Sequence, residues 1–225
     1  MKAAIIYFPG QENPESIARK RARKAQGDFP YFNEQQIKLL RRTVRDASQL
    51  AKVKGQTTAV REWMLIDLLT SSGLREAEAV DLRCGDVKSG YGESAIYVRN
   101  GKGSKSRIVQ IPDSLKIHLK SFIKWKSNRG ESTGQDDYIF IGQRGAWKPA
   151  AVQQAVKKWL RKLNLYQPGK SAHALRHSYA VALYRRERDI KAVQRQLGHS
   201  SIQTTQIYAD TLPEDIQGQI KGLWG

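Results

Sequence analysis

Residues 58–72 carry apolar side chains on nearly every side of a helical projection. These side chains recur at helical spacing, and they are Val60, Trp63, Met64, Leu65, Leu68 and Leu69. A helix that is hydrophobic all round is stable only when other elements surround it. The sequence therefore predicts a central helix that ends at Gly73. Other elements of the chain must pack around this helix.

Amphipathic helices that can pack around the central helix are predicted before and after it. The first begins at Asn33, a favourable N-cap, and repeats apolar residues every three or four positions. Further helices are predicted over about 75–82, 113–127, 149–164, 171–184 and 190–197. Ser200 and Gln203 have capping-box spacing and predict another helix, which carries Tyr208. Pro213 opens a last helix.

Two short segments alternate as strands do, Ser94–Val98 and Arg107–Ile111, with a glycine-rich connection at 100–105. A third strand-like piece is predicted at 138–141. The predicted fold class is thus α+β, mostly α-helical with a small antiparallel β-sheet or hairpin. Residues 1–30 are predicted to be a basic N-terminal appendage, and residues 31–225 a single α-rich domain.

The charge balance predicts a polyanionic partner. The chain has 39 Lys and Arg against 21 Asp and Glu, a formal net charge of +18. Such an excess is unfavourable in a compact protein unless it meets an anion, and double-stranded DNA is the leading candidate. A basic surface without a partner is the plain alternative. A basic run could either lie along a DNA backbone or be a solvated tail; it comprises Arg19, Lys20, Arg21, Arg23 and Lys24.

The cysteine count and the hydropathy pattern indicate a soluble, cytoplasmic protein. Cys84 has no second cysteine with which to form an internal disulfide or a zinc site. No apolar run has the length of a membrane span, and the opening residues 3–8 are too short for a signal segment. The sequence also has no basic helix with a strongly apolar face, so a membrane partner is not expected.

The candidate catalytic residues are polar side chains next to predicted helix ends and turns. They are Arg75 after Gly73, the hairpin residues Lys102 and Lys105, the group His173, Arg176 and His177, and His199 with Tyr208. His173, Arg176 and His177 are three and four positions apart, so they lie near one helical face. Taken singly, each has a plain interpretation: a surface ion pair for Arg75, a core residue for Tyr208. A metal site at the two histidines is not expected, because the acid of zincin pairs is absent.

Taken together, five motifs resemble the catalytic signature of tyrosine recombinases, the phage integrase family. In order, they are Gly73-Leu74-Arg75-x-x-Glu78, Gly101-Lys102-Gly103-x-Lys105, His173-x-Leu175-Arg176-His177, Leu197-Gly198-His199 and Tyr208. The separations of 23 positions between Arg176 and His199, and nine between His199 and Tyr208, are also typical of that family. The resemblance runs from about Phe32 to the C-terminus, so residues 31–225 would be the catalytic domain.

The resemblance implies a role for each of six catalytic residues. Arg75 and Arg176 would hold the non-bridging oxygens of a DNA phosphate, and Tyr208 would attack phosphorus to form a 3′-phosphotyrosyl link. Lys102 would protonate the departing 5′-oxygen, His173 would be a base-like partner, and His199 would donate a hydrogen bond. No metal or cofactor is expected. Lower-ranked supporting or DNA-binding candidates are Lys105, Arg107, His177 and the basic run, while Glu78 would be structural.

The chain departs from the family pattern at its N-terminus. Members usually carry a helical DNA-binding domain of about a hundred residues before the catalytic one, and about thirty residues stand here. Either this is a short recombinase or it is a truncated catalytic domain. The C-terminal helix at about 213–223 would pack into a neighbouring protomer of a tetramer on DNA, or else onto its own subunit.

Two other functions remain open from the sequence. One is a DNA-binding regulator that keeps the fold and the basic surface but is catalytically silent. The other is type IB topoisomerase-like activity, which shares the chemistry but needs no particular site. A site-specific recombinase or integrase is favoured, because all six catalytic positions are occupied by the expected residue types.

Overall fold

The computed structural model describes residues 29–90, 92–99, 106–168 and 170–210. The basic run 19–24, the hairpin residues Lys102 and Lys105 and the predicted helix at 213–223 lie outside the described residues. The described residues form eight α-helices: α1 Glu34–Val53, α2 Thr58–Ser72, α3 Glu76–Asp81, α4 Asp113–Ser127, α5 Pro149–Lys162, α6 Ala172–Glu187, α7 Ile190–Leu197 and α8 Gln203–Asp210. The predicted helical succession is confirmed, with ends shifted by a few residues.

Helix α2 lies at the centre, as its apolar circumference predicts. Its side chains are buried along the whole length, and helices α1, α4 and α6 pack around it. Two acidic residues of α2 are buried as well, and both are paired. Glu62 accepts hydrogen bonds from Lys158 and Trp159, at 2.8 Å each to Oε2. Asp67 contacts Arg41 and His118, each at 2.5 Å. These partners offset the free-energy cost of burying the two carboxylates.

The predicted hairpin is present and belongs to a three-stranded antiparallel sheet. Its strands are β1 Val87–Lys88, β2 Ala95–Val98 and β3 Arg107–Gln110, in that order, with Ile96 opposite Val109. Strand β1 has two residues, too few to show an alternating pattern in the sequence.

A second hairpin pairs β4 Ile141–Gly142 with β5 Gly145–Ala146. The prediction of a strand at 138–141 is wrong in its bounds. Tyr138 forms an isolated bridge with Arg83, while Ile139 and Phe140 are buried in the core. The apolar run was therefore a core segment that leads into the strand.

The predicted helix caps differ in outcome. Asn33 caps α1, since its Oδ1 accepts from Gln36 N at 2.9 Å and Gln36 Oε1 accepts from Asn33 N at 3.0 Å. The prediction of a capping box at Ser200 is wrong, because α8 begins only at Gln203. The two residues before Ser200 close α7: Gly198 is left-handed and the His199 N–H donates to Gln194 O at 3.1 Å. Ser171 makes no side-chain cap bond to α6.

Buried apolar side chains form two clusters. The larger surrounds α2 and reaches the sheet and α5. The smaller lies between α6, α7 and α8 and consists of Ala180, Val181, Val193, Leu197 and Tyr208, with Phe29 and Tyr31 against it. A tyrosine predicted to do chemistry is thus a member of a hydrophobic cluster. Among the described residues, no helix combines the length and apolar character needed to cross a membrane.

Gly73 is expected to be far less tolerant of alanine than Gly55, although both have positive φ, +65° and +69°. A Cβ at Gly73 would lie 2.9 Å from Tyr179 Cε1 and 3.0 Å from Leu197 Cδ2, whereas nothing lies within 4 Å at Gly55. Gly55→Ala should lower the free energy of unfolding by about 1 kcal/mol through backbone strain. Gly73→Ala should lower it by about 3 kcal/mol, because overpacking adds to the strain. Urea denaturation measures both, and equal losses would show that the contacts of Gly73 are unimportant.

Candidate active site

A cavity of about 210 Å³ lies where the end of α2, the start of α3, and helices α6 and α8 approach each other. We call it the cationic pocket. It is lined by Arg75, His173, Arg176, His177, His199, Ser200, Thr204, Ile207 and Tyr208. The structure thus brings together five of the six residues predicted to be catalytic. The sixth, Lys102, lies outside the described residues, as does Lys105.

Arg176 is the most deeply buried cation of the pocket, with 2% of its surface exposed. Its Nη1 donates to Gly73 O at 2.6 Å and its Nη2 to Leu197 O at 2.8 Å. These carbonyls stand at the C-terminal ends of α2 and α7, where helix dipoles favour a cation. Burial, and then repulsion by Arg75, lowers the Arg176 pKa to about 10, so the guanidinium remains charged at neutral pH.

Arg75 enters the pocket from the N-cap position of α3. Its backbone N–H donates to Glu78 Oε2 at 2.8 Å, and its Nη1 donates to Glu78 Oε1 at 2.7 Å. Its Nη2 reaches Gly198 O at 3.3 Å. The left-handed turn at Gly73 and the first turn of α3 therefore fix the direction of this side chain. A quarter of the side chain remains exposed, enough to meet a ligand.

Glu78 also binds Arg107 of strand β3. Arg107 Nη1 and Nη2 donate to the two carboxylate oxygens at 2.8 and 2.9 Å, a bidentate pair. Burial alone would raise the Glu78 pKa, but the bonds and charges of Arg107 and Arg75 outweigh it and lower the pKa to about 2. Glu78 thus holds the backbone and side chain of Arg75, and its structural role stays a prediction. Arg107, predicted as a DNA contact, faces Glu78 here; its role toward DNA stays a prediction.

Three neutral histidines complete the polar wall. His199 Nδ1 lies 3.0 Å from Thr205 Oγ1, and the His173 and His177 rings meet edge to face at 4.5 Å. Burial, followed by repulsion from Arg176 and Arg75, lowers the pKa of His173 and brings that of His199 to about 4. Burial and His173 bring the His177 pKa to about 3. All three rings are uncharged at neutral pH, so each offers one donor and one acceptor.

Tyr208 projects from α8 into this wall and has 1% of its surface exposed. Its hydroxyl lies 3.0 Å from Nδ1 of His177, and its ring stacks on His199 with centroids 6.2 Å apart. Burial raises the Tyr208 pKa to about 12, against the opposing effect of Arg176 and Arg75. The phenol is therefore protonated at rest.

Sequence reasoning named the pocket residues but missed several of their neighbours. It assigned the base-like position to His173, whereas the described hydrogen bond to the Tyr208 hydroxyl comes from His177. The four-residue spacing of the two histidines on one helix was a signal for this alternative. The Phe29 ring contacts those of both His177 and Tyr208, and nothing in the sequence marked it.

Gln196 was also missed, and it joins the hairpin to the pocket. Its Nε2 donates to Gln110 O at 2.6 Å, and its Oε1 accepts from Gln110 N at 3.2 Å. The same Nε2 lies 2.9 Å from the Tyr179 hydroxyl. The residue after Gln196 supplies a carbonyl to Arg176. Strand β3 follows the segment that contains Lys102. Both ends of this strand are therefore hydrogen-bonded to helical parts of the site: Gln110 to Gln196, and Arg107 to Glu78.

The arrangement suits an oxyanion with several oxygens. Two guanidinium groups converge on one small cavity, and neutral imidazoles and a phenol stand beside them. Arginine forks match phosphate geometry and stay charged, and they stabilise added negative charge in a transition state. Within the described ranges, no group of three or more His, Cys, Asp or Glu side chains is placed to hold a metal ion.

The chain belongs to the phage integrase family, whose model matches residues 31–215. Tyrosine recombinase XerC of Mesorhizobium japonicum is 35% identical over 173 residues, which cover 74% of this chain and 53% of that protein. Tyrosine recombinase XerA of Pyrococcus horikoshii is 29% identical over 177 residues, covering 77% and 58% respectively. The chain therefore spans little more than half the length of these relatives.

Solved structures agree with this assignment. The XerH site-specific recombinase, bound to palindromic difH substrate in a post-cleavage complex, superposes with a TM-score of 0.69 at 25% identity. The match covers 87% of this chain and 54% of that chain. A crystal structure of XerA recombinase gives a TM-score of 0.66 at 26% identity, covering 88% and 65%. The predicted fold class, a mostly α-helical tyrosine recombinase catalytic domain with a small antiparallel sheet, is confirmed.

Glu78→Gln is expected to reduce the loss of folding stability that the wild-type protein shows as the pH becomes acidic. The pKa of Glu78 is about 2 in the folded protein, below the ordinary 4.5, so its contribution is complete above about pH 5 and disappears as the pH falls toward 2. The shift corresponds to a stabilisation on the order of 3 kcal/mol. Unfolding free energies measured in urea between pH 7 and pH 3 should fall less steeply for Glu78→Gln than for the wild type.

The matched control is Glu76→Gln, two positions away. Burial raises the Glu76 pKa, so its ionisation acts on stability with the opposite sign. This variant should keep the full acid-range loss of the wild type. Identical pH profiles for Glu78→Gln and the wild type would contradict the assignment of Glu78 as the ionised partner of the two arginines.

Proposed function

We propose that this chain is a site-specific DNA recombinase that cuts and rejoins DNA through a covalent 3′-phosphotyrosyl link to Tyr208. The supporting observation is that Tyr208, Arg75 and Arg176 line the same cavity of about 210 Å³. A nucleophile and two fixed cations around one phosphate-sized space are the parts that phosphoryl transfer requires.

The proposed cleavage step exchanges one ester for another. Arg75 and Arg176 hold the non-bridging oxygens while the Tyr208 oxygen bonds to phosphorus and the bond to the 5′-oxygen breaks. The phenol loses a proton and the 5′-oxygen gains one, so no net proton is consumed. A 5′-hydroxyl of a second strand then attacks the phosphotyrosine and restores the phenol. The ester bond energy is conserved in the link, and the rejoining step therefore needs no added nucleotide.

The remaining candidate residues are assigned from the proton transfers that the proposed reaction requires. A phenol with a pKa of about 12 is a poor nucleophile at neutral pH, so a base near its oxygen assists the attack. His173 is our candidate for this base-like role, His199 for a hydrogen bond to the phosphate, and Lys102 for the acid that protonates the 5′-oxygen. A bound phosphate would raise the pKa values of these histidines, because its negative charge favours the imidazolium form.

Double-stranded DNA is the proposed substrate. A net charge of +18 favours a polyanion, and the XerH neighbour is bound to its difH DNA. We further propose that residues 31–225 are the catalytic domain and 1–30 a basic appendage, in which Arg19–Lys24 lies on the DNA backbone. Protomers would assemble as a tetramer on DNA and exchange the helix at about 213–223. The protein would act in the cytoplasm, on the nucleoid.

Tyr208→Phe is expected to abolish covalent attachment to DNA, because it removes the attacking oxygen. Wild-type protein incubated with a nicked cognate site in EDTA should form an adduct that survives denaturing electrophoresis. The Tyr208→Phe variant should form about 1000-fold less of this covalent adduct, or even less. Tyr166→Phe, at a tyrosine packed against the main core away from the pocket, is the matched control and should leave the yield unchanged.

Other outcomes of this experiment separate the alternative functions. Salt-dependent DNA binding with no adduct from the wild type would indicate a catalytically silent regulator. Relaxation of a supercoiled plasmid that lacks the site would indicate topoisomerase-like activity. Either result contradicts the proposed recombinase.

Lys102→Ala is expected to slow cleavage of ordinary DNA by about 100-fold or more, the usual effect of losing a general acid. A substrate with sulfur in place of the bridging 5′-oxygen has a leaving group that needs no proton. The variant should therefore cleave this substrate at nearly the wild-type rate, in single-turnover measurements. If sulfur substitution fails to rescue Lys102→Ala, Lys102 is not the acid; Arg75→Ala, which should not be rescued, is the control.

A further inference from the structure

Besides His199, which stacks on the Tyr208 ring, two further aromatic side chains from outside α8 enclose the phenol. The hydroxyl lies 3.0 Å from His177 Nδ1, and the ring meets the edge of Phe29 with centroids 5.2 Å apart and planes at 87°. Phe29 also covers the His177 ring at 4.8 Å. The three rings are in mutual contact, since those of His177 and Tyr208 lie 5.7 Å apart. An edge-to-face contact of this kind adds stabilisation beyond the buried area.

The two enclosing residues differ in how firmly they are held. His177 lies in the middle of α6, next to Arg176, whose guanidinium is fixed by the carbonyls of Gly73 and Leu197. Phe29 belongs to the non-helical residues before α1. Its segment is attached to α6 by a hydrogen bond from Phe32 N to Ser178 Oγ, at 2.7 Å. His177 is therefore a rigid support, and Phe29 is the side that can move without unfolding a helix.

The direction of this hydrogen bond depends on the tautomer of the His177 ring. His177 is neutral in this environment, so its Nδ1 can accept the phenol proton when the ring proton is on Nε2. The phenol oxygen is then held protonated and, with 1% of the residue exposed, is closed off from an incoming phosphodiester. An attack on phosphorus requires this oxygen to be accessible and free of its resting partner.

We propose that Phe29 and His177 are positioning residues that hold Tyr208 in a shielded resting position, and that Phe29 must be displaced before the hydroxyl meets DNA. The proposal rests on Tyr208 being the nucleophile of the proposed function. The shield itself is a property of the DNA-free protein, however, and is testable without DNA. The competing explanation is that Phe29 only fills the smaller hydrophobic cluster.

Acylation of tyrosine hydroxyls by N-acetylimidazole, mapped by peptide mass spectrometry on the full chain without DNA, tests the shield. Phe29→Ala and His177→Ala should each raise the Tyr208 acylation rate about three- to tenfold, the size expected for one aromatic contact or one hydrogen bond. Tyr31→Ala is the matched control, because Tyr31 lies in the same segment and contacts Phe29, with ring centroids 5.9 Å apart. It should leave the Tyr208 rate within about twofold of the wild type.

Tyr184 provides an internal reference, since it packs against the same cluster. An unchanged Tyr208 rate in either alanine variant overturns the proposal. So does an equal rise at Tyr184, or an equal rise at Tyr208 in Tyr31→Ala, because the cluster has then loosened as a whole. If an alanine variant does not fold, Phe29→Leu or His177→Asn replaces it, with a rise of about twofold expected and no change counting against the proposal.

The covalent-adduct assay described for Tyr208→Phe distinguishes a failure of the proposed shield from a failure of the proposed recombinase activity. A selective rise in acylation together with no covalent adduct from the wild type would keep the shield and reject the proposed recombinase. A normal adduct with unchanged acylation in both alanine variants would keep the recombinase and reject the shield.

Discussion

The buried guanidinium of Arg176 is the contact on which the geometry of the site depends. It joins the carbonyl of Gly73, at the end of the central helix α2, to the carbonyl of Leu197, at the end of α7. These two turns then direct Arg75 and His199, which follow them in the chain by one or two residues. Since both carbonyls stand at helix C-termini, a cation is favoured there even without a carboxylate partner. One side chain thus sets the relative position of three helices and two further pocket residues.

This use of backbone carbonyls leaves positive charge available for a ligand. Glu78 neutralises parts of Arg75 and Arg107, while Arg176 has carbonyl partners that carry no net charge. The consequence is visible in the titrating groups nearby, since the pKa values of Arg176, His173 and His199 are all lowered, by burial and then by neighbouring cations. The negative charge of a bound phosphate would oppose the effect of these cations, so phosphate binding and protonation are coupled in this pocket.

Local patterns in the sequence predicted the architecture well, because they depend on neighbours along the chain. The all-apolar α2, the cap at Asn33 and the hairpin strands are examples. The pocket residues were identified from the order and separation of the family motifs, since no local periodicity brings Arg75 to Arg176. The contacts that the sequence did not predict depend on long-range pairing. The bond of His177 to Tyr208 spans 31 positions, and the bidentate pair of Arg107 with Glu78 spans 29. The start of α8 was misplaced by a local pattern, since Ser200 and Gln203 have capping-box spacing but the helix begins only at Gln203.

The position of Tyr208 shows how one residue can satisfy opposite requirements of folding and chemistry. Its ring is packed into a hydrophobic cluster with Leu197 and Val193, so it stabilises the contact of α6, α7 and α8. Tyr208 also lines the cationic pocket, where Arg176 and Arg75 favour the phenolate, yet burial outweighs them and raises the Tyr208 pKa to about 12. The balance between burial and cations therefore decides whether the oxygen is inert or nucleophilic. Hydration of the phenol would weaken the effect of burial, and a shorter distance to the guanidiniums would strengthen the effect of the cations, so either change would lower the Tyr208 pKa and favour the attack of the proposed reaction.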